Sequence, residues 1–165
     1  MQLKTPKDLA IKARMLGKKT VSYSQFSRYK NCPKSWKLAY IDKETSFDPS
    51  IFLIFGTAFH ETMQTYLDTM YKESIVAAEK LDVNNILLTS MRTEYAKVVA
   101  ECGEDFSDPK QLAEFYQDGV EIMSWFKKNR GAYFAKKNTE LVGIEMPILH
   151  TTESNENVML MGFLD

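Results

Sequence analysis

Val158-Met159-Leu160-Met161-Gly162-Phe163-Leu164-Asp165 is the stretch whose reading decides the fold. Met159, Met161 and Phe163 alternate with Leu160, Gly162 and Leu164, so both faces of the strand they predict are apolar and both are expected to be covered. The strand delivers a single carboxylate, Asp165, to its tip. A second strand-like segment spans residues 140–150, and the polar residues 151–157 read as the turn between the two. A two-stranded hairpin is marginal alone, so this sheet calls for more strands.

Upstream of the hairpin the pattern is helical. Residues 6–16 place Leu9, Ile11, Ala13, Met15 and Leu16 among bases, a helical pattern closed by Gly17. Ser22 or Ser24 can cap a second helix, with Gln25 three residues after Ser22 as a capping box requires. Pro33 fits the first turn of a third helix, on which Trp36 and Tyr40 lie four apart. Residues 51–72 carry Phe59, Met63, Tyr66, Leu67 and Met70 at spacings of three and four. A helix over residues 86–102 stops at Gly103, and Asp108-Pro109 starts another that is expected to end at Gly131. The fold class is therefore α+β (or the start of an α/β chain): a helical N-terminal section leading into the first β-hairpin of a mixed sheet, with an incomplete core. Residues 1–20 read as a basic N-terminal helix or tail, and residues 21–165 as one domain.

The net charge of −1 hides an asymmetry. Residues 1–40 hold ten Lys/Arg and one acid, Asp8, whereas the rest hold eleven bases and twenty-one acids. Such a block is either a polyanion-binding end or a solvated amphipathic helix. No apolar run reaches the ~20 residues needed to span a bilayer, and the basic N-terminus lacks an apolar signal core. Two cysteines, Cys32 and Cys102, make no disulfide framework, which fits a reducing cytoplasm.

Three places carry chemistry. Gly56, His60 and Gln64 stack on one helix face, where a neutral imidazole can bind a divalent metal or orient a phosphate, or simply satisfy a carbonyl. Asp165 is a hard-cation ligand or a solvated strand end. Glu145, on the neighbouring strand, reaches the same tip or faces solvent. Residues 22–40 interleave hydroxyls, bases and aromatics, a surface suited to a single strand's phosphates and stacked bases, with Ser24, Arg28, Lys30, Lys34 and Lys37 as the binding residues. Trp36 and Phe26 read instead as core.

Ser-x-Ser-x-x-x-x-Tyr-x-x-Cys-Pro ahead of an aromatic helix (from Ser22), Gly-Thr-Ala-x-His (Gly56 to His60) and Gly-x-x-Asp (Gly162 to Asp165) occur in that order. Together, over roughly residues 20–165, they resemble the N-terminal part of the RecB-like branch of the PD-(D/E)xK nuclease superfamily. The resemblance implies a restriction-endonuclease-like mixed sheet and phosphodiester hydrolysis with Mg²⁺ or Mn²⁺. It makes His60 and Asp165 the catalytic metal-site residues, with Glu145 a further acidic ligand. The implied protein is a DNA exonuclease or single-strand nuclease of recombination, repair or phage DNA processing, acting on single strands or duplex ends in a bacterial or phage-infected cytoplasm. The family's next strand, Asp/Glu-x-Lys, has no counterpart after Asp165, so the chain alone is expected to be inactive, as a truncated piece or as half of an enzyme completed by a second chain. Cys32 matches the upstream ligand of a four-iron cluster in some relatives, but one thiolate cannot hold a cluster that takes four, and none is expected in this chain. The alternative is a non-catalytic nucleic-acid-binding or assembly module of the same fold, and a remoter one is a helical protein-interaction domain.

Overall fold

The computed structural model describes residues 5–44, 49–103, 105–134 and 138–164, so Asp165 lies outside the described residues. The chain divides into two compact units, a sheet unit of residues 1–47 and 143–165 and a helical unit of residues 48–142.

In the sheet unit, helix α1 (Pro6–Met15) begins with a capping box. Asp8 N–H donates to the Thr5 hydroxyl at 3.2 Å, and the Thr5 N–H donates to the Asp8 carboxylate at 2.9 Å. Leu9 and Ala13, four residues apart, are fully buried where α1 packs on the strands. The sheet has three strands in the order β1 (Lys19–Ser22), β3 (Asn155–Leu164), β2 (Met146–Thr152). β1 runs parallel to β3, and β2 runs antiparallel to it, so the sheet is mixed. The third strand that a bare hairpin lacked is thus supplied by residues 19–22, where no strand was expected. The boundary expected at residue 20 falls inside β1.

β2 and β3 join through a turn at residues 153–154 alone, much tighter than the seven polar residues suggested. Of the other polar residues, Thr151 and Thr152 are half-buried in β2, and Asn155, Glu156 and Asn157 are exposed in β3. Residues 140–145, expected to be strand, precede β2 without joining the ladder. Cross-strand partners share a face, which places Thr20, Met159 and Thr151 on one side and Val21, Leu160 and His150 on the other. Met159 is buried, whereas Leu160 is 47% exposed and Leu164 55%. Only one face of β3 is therefore well covered, contrary to the expectation for both.

Ser22 ends β1 and caps α2 (Tyr23–Asn31), its hydroxyl accepting from the Gln25 N–H at 3.2 Å. The cap at the next corner is Cys32, whose Sγ accepts from the Ser35 N–H at 3.4 Å ahead of α3 (Pro33–Lys37). A π-helical turn, Leu38–Asp42, follows and ends at Lys43, which has φ 56°. Trp36 contacts Tyr40 as its spacing predicts, with ring centroids 6.3 Å apart.

The helical unit contains α4 (Ile51–Lys72), α5 (Ile75–Glu79), α6 (Val83–Cys102) and α7 (Pro109–Tyr133). Each start is capped by a side chain that satisfies an orphan N–H: Ser50, Ser74, Asp82 and Asp108 respectively. Gly103 stops α6 at φ 79°, a conformation that favours glycine. Helix α7 instead runs through Gly131, the expected stop, for two further residues. The buried stripe of α4 is Ile54, Ala58, Thr62, Tyr66 and Met70, with Phe59, Met63 and Leu67 half-buried beside it. Thr62 sits among apolar groups because its hydroxyl donates to the Ala58 carbonyl at 2.8 Å. Gly119 of α7 lets that helix lie against α6 and α4, since a Cβ there would stand 2.6 Å from Leu87 Cδ2 and 3.0 Å from Phe55 Cε2.

Tyr66 is fully buried, and its hydroxyl donates to Glu79 at 2.8 Å. Arg130 reaches the same carboxylate at 2.9 Å and Lys127 at 3.7 Å, which ties α4, α5 and α7 together. Burial, then the Glu79 hydrogen bond, push the Tyr66 phenol up to about 12.

Candidate active site

His60 stands on the exposed side of α4, two residues from the buried positions Ala58 and Thr62. Its Nε2 lies 2.5 Å from Gln64 Nε2, the pairing that the four-residue spacing predicts. One turn earlier, a side chain at Gly56 would meet nothing within 4 Å among the described residues. Beside His60, Glu61 accepts a hydrogen bond from Ser90 of α6, a partner that the sequence did not single out.

Glu145 belongs to the sheet unit. It precedes Met146, which pairs with Leu164 at the end of β3. The register thus sets Glu145 at the sheet end where β3 finishes, and Asp165 is the next residue in sequence after Leu164. Glu145 has φ 48°, a left-handed conformation that a non-glycine residue adopts at a cost. Gly143, two residues earlier, is crowded by the Met146 side chain, whose Cγ would lie 2.5 Å from a Cβ. His60 and Glu145 fall in different units, and no group of three or more His, Cys, Asp or Glu that could hold a metal ion occurs among the described residues.

Part of the basic stretch lines a hollow in the sheet unit. Ser24, Arg28 and Cys32 line a hollow of about 490 Å³ with Tyr23, Ser27, Asn31 and Ser35. Sequence reasoning left Ser27, Asn31 and Ser35 unassigned, although the helical spacing of Ser24, Ser27 and Asn31 was there to find. Lys30, Lys34 and Lys37 are exposed, and Lys37 pairs with Asp42 at 3.3 Å. Phe26, expected in the core, is 56% exposed and lines an apolar groove with Ile148, Leu160 and Phe163. Its helix is short and every residue of it is at least partly exposed, so it has no core-facing stripe to occupy. Cys102 is half-buried beside the cluster of Leu87, Met91 and Val98.

The described residues form a mostly helical chain with a small mixed sheet, an α+β architecture consistent with a fragment of the restriction-endonuclease-like fold. The family comparison agrees: the chain belongs to the PD-(D/E)XK nuclease superfamily, whose model matches residues 20–165. Membership points to metal-dependent nucleic-acid cleavage with a divalent ion as cofactor. No curated protein and no solved structure matches the chain. Among the described residues, no helix is long and apolar enough to cross a membrane.

Proposed function

We propose that this chain is the N-terminal part of a RecB-like DNA nuclease, an exonuclease or single-strand nuclease of recombination, repair or phage DNA processing. The superfamily match across residues 20–165 is the observation that carries the reading. His60 and Asp165 are assigned as metal ligands, with Glu145 as a further carboxylate. The carboxylates are donors that suit Mg²⁺ or Mn²⁺. When bound, such an ion polarises the scissile phosphate and lowers the pKa of the attacking water.

The chain's own residues orient and hold. Gln64 pairs with His60 Nε2 and would yield that nitrogen to an ion. The left-handed backbone at Glu145 turns the chain at the sheet end where β3 finishes. Ser24, Arg28, Lys30, Lys34 and Lys37 hold the strand. His60, Glu145 and Asp165 include no lysine to activate water, and we assign that lysine to further sequence or to a second chain. The test is Mn²⁺-dependent release of nucleotides from single-stranded and blunt-ended DNA by the complete protein. His60→Ala and Asp165→Asn should each lower the rate at least about tenfold; rates unchanged in both would remove the site assignment.

A second reading, a non-catalytic nucleic-acid-binding module of the same fold, draws support from the exposed bases and the hydroxyl-lined hollow of α2 and α3. Metal-free DNA binding without Mn²⁺-dependent cleavage by the complete protein would favour it.

A further inference from the structure

We propose that the hollow between α2 and α3 seats a backbone phosphate of a single-stranded nucleic acid, held by the Arg28 guanidinium and the hydroxyls of Ser24, Ser27 and Ser35. The proposal rests on the nucleic-acid part of the reading above, though not on catalysis. Its first support is the chemistry of the lining. Hydroxyls, the Asn31 amide and a guanidinium are all donors to a phosphate, and no carboxylate lines the hollow.

The second support is charge. Residues 18–37 hold six Lys/Arg and no acid, so nothing local competes with an incoming anion. Lys18 is engaged with the Thr151 hydroxyl and Lys37 with Asp42. The Arg28 guanidinium, in contrast, has no hydrogen-bond or ion-pair partner among the described residues. Of the bases in this stretch, it is the one that lines the hollow.

The third support is shape. The Cys32 cap fixes the corner between the helices, and Tyr29 packs edge-on against Trp36 with centroids 5.4 Å apart, so the walls stand in place before a ligand arrives. Tyr23 is 81% exposed at the rim, and Tyr29 is half exposed. Free aromatic faces beside a phosphate seat suit unstacked bases, which favours a single strand over a duplex.

The experiment is fluorescence anisotropy of a labelled oligothymidylate of about twelve nucleotides with the full chain, in EDTA and across a salt series. Arg28→Ala should weaken binding roughly tenfold and lower the slope of log K against log salt by about one. Arg28→Lys should keep the slope but recover only part of the affinity, because it lacks the bidentate fork. Ser24→Ala with Ser27→Ala should weaken binding severalfold with the slope unchanged, since neutral donors release no counterion. Lys110→Ala, an exposed base of the helical unit, should change nothing. Ser24 and Arg28 are exposed, so these variants should melt like the parent, which circular dichroism checks. An Arg28→Ala effect no larger than that of Lys110→Ala would overturn the proposal. So would equal affinity for a methylphosphonate oligothymidylate, whose backbone is neutral, or no binding at low salt. A complete protein that binds as described but never cleaves with Mn²⁺ removes the nuclease reading and leaves this one; one that cleaves while Arg28→Ala binds normally does the reverse.

Discussion

The helical unit holds twelve of the fifteen buried hydrophobic side chains among the described residues, and the sheet unit holds three, Leu9, Ala13 and Met159. Their charges differ in the same sense. The sheet unit has eleven bases against seven acids, and the helical unit ten against fifteen. One unit therefore concentrates its apolar groups inward on two clusters, while the other presents bases, hydroxyls and aromatic rings outward. Burial is the main favourable term in folding, so the helical unit carries most of what stabilises the chain. The sheet unit carries the chemistry best suited to a polyanion. Stability and recognition are separable here, and substitutions should reveal it.

The largest effect should come from Leu87→Ala. Leu87 is fully buried between α6 and its neighbours, so its removal should lower unfolding stability by about 3–5 kcal/mol in urea denaturation. DNA binding measured below the transition should be unaffected. Gly119→Ala should cost about 1–3 kcal/mol by overpacking, because the new methyl meets Leu87. In the double variant, truncation of Leu87 opens the space that a methyl at position 119 needs, so the combined loss should be smaller than the sum of the two. Strict additivity would show that Leu87 and a side chain at position 119 do not share that space.

The helices of this chain were legible because their signals are local. Asp108 and Pro109 mark their own helix start, and they do so in the structure. β1 was not legible. Its four residues show no alternation of their own and become a strand only by pairing with Val158 to Met161, far along the chain. Gly131 misled because a glycine stops a helix only where the backbone turns left-handed, and it does so at Gly103 but not within α7. The site divides likewise. The His60–Gln64 pair follows from spacing alone, whereas the place of Glu145 depends on sheet register that no local pattern encodes.

An intermediate effect should appear in alkali. Tyr66 holds its proton more tightly in the folded chain, at about 12, than the ordinary phenol at about 10. Its contribution is complete below pH 10 and is lost as pH rises through 12. Tyr66→Phe, which removes the hydrogen bond to Glu79, should be about 1–2 kcal/mol less stable than the parent at pH 8. That gap should narrow between pH 10 and 12, because only the parent has a proton to lose at this position. A gap that stays constant in urea midpoints across this window would show that the phenol is not held as the structure has it.

The smallest effect should be that of Phe26→Ser, and it bears most directly on the contrast between the units. An aromatic side chain in a core costs about 3–5 kcal/mol to truncate, whereas a surface substitution stays within about 0.5 kcal/mol. Phe26 is 56% exposed on α2, so its removal should fall near the surface value in urea denaturation. Its place beside Leu160 and Ile148 makes it part of an open apolar groove, not of a packed cluster. A loss above about 2 kcal/mol would mean that the sheet unit has a core of its own around this residue, and the division of labour between the two units would fail at that point. A loss within the surface range, with single-strand binding weakened at the same time, would assign Phe26 to recognition together with its neighbours Tyr23 and Tyr29.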